Sequence, residues 1–148
     1  MRLCRSHILL NALIFALYDL VWLFLFPVVL VRYFIRSYRR GGKPDWRPLL
    51  GGVPASSGEV LWVHAASVGE VQSVAPLVHD FCRRHPEASV HVTAVTITGV
   101  MHARRLLPEA VVTPWCFDTR WTLNRLIRRL NPSRVWIVER EWWPNLWR

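Results

Sequence analysis

Two hydrophobic patterns divide this chain. Residues 8–31 are apolar almost without interruption, whereas from residue 59 onward the apolar positions come in short runs and in stripes spaced i, i+3, i+4. The first pattern predicts one long helix over 24 residues. At 1.5 Å per residue it reaches about 36 Å, enough to cross a hydrocarbon layer of about 30 Å with some tilt. The second pattern predicts alternating strands and helices. Val60-Leu61-Trp62-Val63 reads as a buried strand within 59–64, leading to a helix over 69–84 whose Val71, Val74, Ala75, Val78, Phe81 and Cys82 share one face. A strand over 89–95 precedes the polar turn Thr96-Ile97-Thr98-Gly99 and a short helix to Leu107. A strand at 110–113, a helix over 119–130 with Leu123, Leu126, Ile127 and Leu130 on one side, and a strand over 134–138 follow. This alternation, with short loops, predicts an α/β domain whose parallel sheet is covered on both faces. Between the patterns, residues 41–58 hold five glycines and three prolines and read as a linker. The expected organisation is an anchor over 1–40, a linker over 41–58 and a domain over 59–148.

Charge refines the anchor. Asn11, Asp19 and Pro27 interrupt the apolar run. An Asp at mid-span costs roughly 2.5–3.5 kcal/mol, so the helix either spans with Asp19 facing a partner or lies deep in one leaflet. A cleaved signal fits least, because the run is too long and no small-x-small site follows. Arg2 and Arg5 precede the run, and Arg32, Arg36, Arg39, Arg40 and Lys43 follow it. The heavier basic side stays cytoplasmic, which predicts an inner-membrane protein with residues 44 onward on the cytoplasmic side. Of the formal net charge of +9, residues 1–43 supply seven basic residues and one acid. That juxtamembrane cluster suits anionic membrane lipids. A nucleic-acid partner is not expected, although the chain is basic and carries nine tryptophans: the excess charge lies at the membrane end and no nucleic-acid module is recognisable.

Candidate chemistry concentrates at two strand ends. In His64-Ala65-Ala66-Ser67-Val68-Gly69-Glu70 a carboxylate falls in the first turn of a helix, just past the carboxyl end of a strand, where open α/β sheets bind ligands. Gly69 beside it lets a substrate approach the backbone. The same residues also form a capping box, with Ser67 and Glu70 exchanging hydrogen bonds through each other's amides. Glu139 and Glu141 end the last strand and share a side if the strand runs that far. Trp142, Trp143 and Trp147 beside them are unusual for an exposed loop. Arg125, Arg128 and Arg129 form a stripe opposite the apolar face of their helix. A solvated face is the usual reading of such a stripe, and phosphate or lipid headgroups the second. His64 reads as a satisfied, partly buried side chain before it reads as an anion donor. Cys4, Cys82 and Cys116 lack redox or metal spacing, and the six histidines form no H-x-x-x-H pair. No metal or other cofactor is expected.

These segments resemble the N-terminal domain of 3-deoxy-D-manno-octulosonic-acid (Kdo) transferases. The likeness rests on the 64–70 motif, Thr93-Ala94-Val95-Thr96-Ile97-Thr98-Gly99, Phe117-Asp118, and Glu139-Arg140-Glu141-Trp142-Trp143-Pro144-Asn145, with a membrane-proximal helix in front. Arg140, Trp142 and Ile97 depart from the family's usual residues. The resemblance implies a Rossmann-like sheet that forms the N-terminal half of a GT-B glycosyltransferase. It implies transfer of Kdo from CMP-Kdo, held by a C-terminal domain, to a lipid A precursor, with inversion and without a covalent intermediate. Glu70 matches the general base and Glu141 a supporting carboxylate; Ser67, Gly69, Thr96, Thr98, Gly99, Glu139 and Asn145 are expected to border the acceptor. The chain stops at Arg148 with no donor domain, so the expectation is an acceptor-side fragment, truncated or half of a split enzyme, and inactive alone. The alternative is a non-catalytic, membrane-anchored module that binds lipid A.

Overall fold

A computed structural model describes residues 2–39, 41, 44–139 and 142–147, with side chains from Asn11 onward except Ala12. Helix α1 (Arg2–Arg39) leads through a 3-10 turn at Pro48–Leu50 to β1 (Val60–His64), α2 (Val68–Arg84), β2 (Ser89–Ala94), α3 (Ile97–Leu106), β3 (Val111–Pro114), α4 (Arg120–Leu130) and β4 (Arg134–Ile137). The four strands form one parallel sheet in the order β3-β2-β1-β4. The elements foreseen from the hydrophobic pattern fall in the foreseen order, and the architecture is a Rossmann-like α/β sheet with an apolar helix at its N-terminus.

Burial follows the strand period. Strand β1 lies between β2 and β4 and is buried at all five positions, as expected for a strand covered on both faces. Leu61, Val63, Val90 and Val92 pack with Val71, Val74, Val78 of α2 and Val100, Ala103 of α3 on one face. Trp62 points the other way and packs with Val53, Trp115, Leu123, Leu126 and Leu130. Helices α2 and α3 therefore cover one face of the sheet, and α4 covers the other.

Residues 41–58, expected to be a linker, are in their described part built into that second face. Leu49 and Val53 are buried, the Leu49 carbonyl accepts from Phe117 N at 2.9 Å, and Ser56 N donates to the Arg129 carbonyl at 3.1 Å. Gly51 ends the 3-10 turn at φ 69, and a Cβ there would sit 2.1 Å from the Thr122 carbonyl oxygen. Its composition reads as linker because glycine serves close backbone approach as well as flexibility.

Helix α1 includes a stretch, Leu13–Arg39, long and apolar enough to cross a membrane. One face of it meets the domain. Tyr18, Asp19, Trp22, Phe26, Val29, Leu30, Tyr33 and Ser37 are part-buried or buried, at helical spacing. Trp22 and Phe26 pack on Phe117 with ring centroids 5.6 and 4.8 Å apart. The opposite face, including Leu17, Leu20, Phe24, Val28 and Val31, is exposed.

Candidate functional site

The carboxyl ends of parallel strands carry the loops that enter the next helix, so the sheet gathers the β1–α2, β2–α3 and β3–α4 loops and the segment after β4 along one edge. Glu70 stands there in the first turn of α2 and is 8% exposed. Its Oε2 accepts from Ala66 N at 2.6 Å and its Oε1 from Ser67 Oγ at 2.8 Å. Ser67 is the N-cap, and its Oγ accepts from Glu70 N at 3.4 Å. The capping box is therefore modified: the carboxylate reaches one residue further back, to the Ala66 amide rather than that of Ser67. A carboxylate offers about four lone-pair sites, so two bonds hold Glu70 in place without filling its acceptor capacity. Above the first turn the site is open, because a Cβ built on Gly69 would meet nothing within 4 Å.

The neighbouring loop is fastened to this one. The Ala66 carbonyl accepts from Val95 N at 3.2 Å and Thr96 N at 3.1 Å. Thr96 caps α3 by accepting from Gly99 N at 3.0 Å, and Thr98 Oγ1 donates to Thr96 Oγ1 at 3.4 Å. Gly99 is buried, with room for no Cβ: one would lie 2.9 Å from Thr96 Oγ1. Thr96 and Thr98 reach the surface at this edge, whereas Gly99 supports the loop from beneath.

On the α4 face, β1 and β2 carry a buried polar cluster. Thr93 Oγ1 accepts from Trp62 Nε1 at 3.0 Å and lies 2.9 Å from His64 Nδ1. The His64 ring packs against Trp115 at 4.2 Å between centroids. Burial pulls His64 and His91 down to about 4. His64 is neutral and fully enclosed, which leaves it no part in binding an anion at the edge.

After β4 the backbone departs from the extended path. Val138 N still donates to the His64 carbonyl at 2.9 Å, but Glu139 is exposed and adopts φ 63. A left-handed residue breaks the two-residue alternation of a strand, so the strand period ends at Glu139. Glu141 lies outside the described residues. The tryptophans separate: Trp143 packs 5.9 Å from Trp115, while Trp142 and Trp147 are 81% and 63% exposed.

Asn145 is buried and holds a second polar node. Its Nδ2 donates to Asp19 Oδ1 at 2.9 Å and to the Asp118 carbonyl at 2.7 Å, and its backbone N donates to Asp118 Oδ2 at 3.1 Å. Tyr18 hydroxyl donates to Asp118 Oδ2 at 3.0 Å. Asp118 is not needed to cap α4, because the next residue, Thr119, does so through a capping box with Thr122; the Asp118 side chain is thereby free to face α1. Its burial pushes the carboxyl above the usual range, against the hydrogen bonds from Asn145 and Tyr18. The charge in the apolar helix, Asp19, thus has its partner within the chain. Sequence reasoning left Asp118 and Tyr18 without a role; the one signal was a lone Asp inside an apolar run, which states a need for a partner without naming it. Among the described residues, no three His, Cys, Asp or Glu side chains come together so as to hold a metal ion.

Comparison with known proteins adds what geometry cannot. Residues 39–148 match the family model described as 3-deoxy-D-manno-octulosonic-acid transferase (kdotransferase). The chain is similar to the 3-deoxy-D-manno-octulosonic acid transferase of Chlamydophila psittaci, 31% identical over 136 residues, covering 87% of this chain and 31% of the relative. It is similar to the Bordetella pertussis transferase of the same name, 30% identical over 132 residues, covering 81% and 30%. The Haemophilus influenzae transferase is 32% identical over 87 residues, covering 58% and 20%. The chain thus spans about a third or less of the length of these curated relatives.

Proposed function

The chain belongs to the 3-deoxy-D-manno-octulosonic-acid transferase family, and from this premise we propose that it forms the acceptor side of a Kdo transferase. In this reading a lipid A precursor lies across the carboxyl edge of the sheet, over Gly69 and beside Thr96 and Thr98. A sugar hydroxyl of the acceptor attacks the anomeric carbon of Kdo, the bond to CMP breaks on the opposite side, and Glu70 takes the hydroxyl proton. One displacement inverts the anomeric centre. CMP-Kdo is held by a second domain of GT-B type, and Glu141 supports the base. The apolar α1 and its basic flank keep the reaction at the cytoplasmic face of the inner membrane.

The observation that carries the reading is the Glu70 carboxylate, clamped by Ala66 N and Ser67 Oγ at 2.6 and 2.8 Å beside open space at Gly69. A base must be held and have room for its substrate beside it; the two bonds hold Glu70, and the open space at Gly69 supports an acceptor lying next to it. The test is a chimera in which residues 39–148 replace the matched segment of the Bordetella pertussis transferase, assayed with CMP-Kdo and a lipid A precursor. Glu70→Gln keeps the size of the side chain and removes its basic oxygen. Turnover should fall about 10²–10⁴-fold relative to the parent chimera, with little change in melting temperature. Near-parental turnover with lowered stability would assign Glu70 to helix capping alone.

A further inference from the structure

We propose that the cleft between α1 and α4 holds one anionic phospholipid of the bilayer, an acyl chain in the cleft and the phosphodiester on the arginines of α4. The cleft has a volume of about 580 Å³ and is walled by Trp22, Leu23, Phe26, Leu50 and Phe117. That volume lies within the roughly 300–1,000 Å³ of ligand pockets. A second depression of about 270 Å³ runs between Arg125, Arg128 and Arg129. The two share Trp121 and Asn124 as a common wall. An apolar slot that continues into a cationic groove is complementary to a molecule with a hydrocarbon tail and an anionic head.

The charged side chains of α4 are all cationic. The helix contains no acidic residue, and among the described residues no carboxylate pairs with Arg120, Arg125, Arg128 or Arg129. Arg120 lies in the first turn, where the helix dipole disfavours a cation, and it lines the apolar cleft. Arg129 donates to the Val53 carbonyl, which leaves Arg125 and Arg128 as the freer pair. Arg125 stands 5.5 Å from the centroid of the Trp121 ring, and Trp121 is 60% exposed at the shared wall. A tryptophan between apolar and cationic surfaces is the arrangement found at membrane interfaces.

The source of the lipid follows from the position of the opening. Leu23 lines the cleft and is also 67% exposed on α1, next to the apolar outer face of that helix. A bilayer that takes up this face delivers its own lipids to the mouth of the cleft. The cleft lies between α1 and α4, on the face of the sheet opposite α2, although Phe117 and Thr119 of its wall belong to the β3–α4 loop at the carboxyl edge; the proposal does not rest on Glu70 as a base.

Native mass spectrometry of the full 148-residue chain, released from non-ionic detergent, reads the retained lipid directly. Dioctanoyl-phosphatidylglycerol should bind once per chain and about tenfold or more tighter than dioctanoyl-phosphatidylcholine. Arg125→Gln with Arg128→Gln should weaken phosphatidylglycerol roughly 30-fold, at about fivefold for each arginine, and weaken phosphatidylcholine, whose choline offsets the charge of the shared phosphodiester, by clearly less. Leu23→Trp, which narrows the cleft at its rim, should weaken both lipids. Circular dichroism and melting temperature check that the variants fold; should the double variant not fold, Arg128→Gln alone should show the fivefold loss. Equal retention of the two lipids, or undiminished affinity in the arginine variant, overturns the proposal. Displacement by an equal concentration of inorganic phosphate would reveal a bare anion site and overturn it too. Tighter retention of a lipid A precursor than of phosphatidylglycerol would give the cleft to the acceptor instead.

Discussion

Glu70 and Asp118 are both buried carboxylates on loops at the same edge of the sheet, yet they are built at opposite ranges. The side-chain partners of Glu70, Ala66 N and Ser67 Oγ, lie four and three residues away. Those of Asp118, Asn145 N and Tyr18 hydroxyl, lie 27 and 100 residues away. The first arrangement forms whenever the helix forms. The second exists only after α1, the β3–α4 loop and the segment after β4 have met. Local assembly holds Glu70 by two short-range bonds beside the open space at Gly69. Long-range assembly consumes Asp118 and Asn145 in holding an apolar helix against the domain.

Acid should act in opposite directions on the buried histidines of the sheet and on the Asp118 node, and this is the largest stability effect expected. His64 and His91, on the α4 face of the sheet, have folded values of about 4 against an ordinary 6.5. Between those values the unfolded chain binds more protons, so stability falls as the pH drops through the window. The loss at pH 5 is roughly 2 kcal/mol for each histidine. Asp118 has a raised value, so the folded node holds its proton more readily and acid favours it. Melting temperature should therefore fall between pH 7.5 and pH 5, and His64→Gln should remove about half of the fall. A melting temperature that does not change with pH would mean that the histidines are not held neutral by the fold.

A smaller effect isolates the node. Asn145→Ala strips two side-chain donors and leaves the Asp118 carbonyl and the Asp19 carboxylate without them. A buried acceptor left unsatisfied costs about 1–3 kcal/mol. The chain should melt several degrees lower, while the bonds around Glu70 stay as they are. No change in melting temperature would show that α1 is held by its aromatic contacts with Phe117 alone.

The smallest effect on stability is expected at the proposed acceptor edge. With nothing within 4 Å of an added Cβ, Gly69→Ala should alter stability by about 0.5 kcal/mol or less. In the chimera it should nonetheless slow turnover, because the space it fills is the space assigned to the acceptor. Unchanged turnover would move the acceptor away from Gly69.

The elements, their order and the place of Glu70 were legible in the amino-acid sequence. They depend on period-two and period-3.6 patterns, on Ser67 and Thr96 as caps, and on strands that end where helices begin, all interactions within a few residues. That Leu49, Gly51, Val53 and Ser56 are built against α4 and its entry loop was not legible, because glycine and proline occur alike in a loose linker and in a tight backbone crossing. Nor was the pairing of Asp19 with Asn145 or of Tyr18 with Asp118, because hydrogen bonds across 126 and 100 residues leave no periodic trace. The turn of Glu139 out of the strand was hidden too, since a left-handed residue other than glycine carries no local signature. Folding in three dimensions settled these points by bringing distant polar groups into one dry place, where each must find a partner or bear the cost of leaving water.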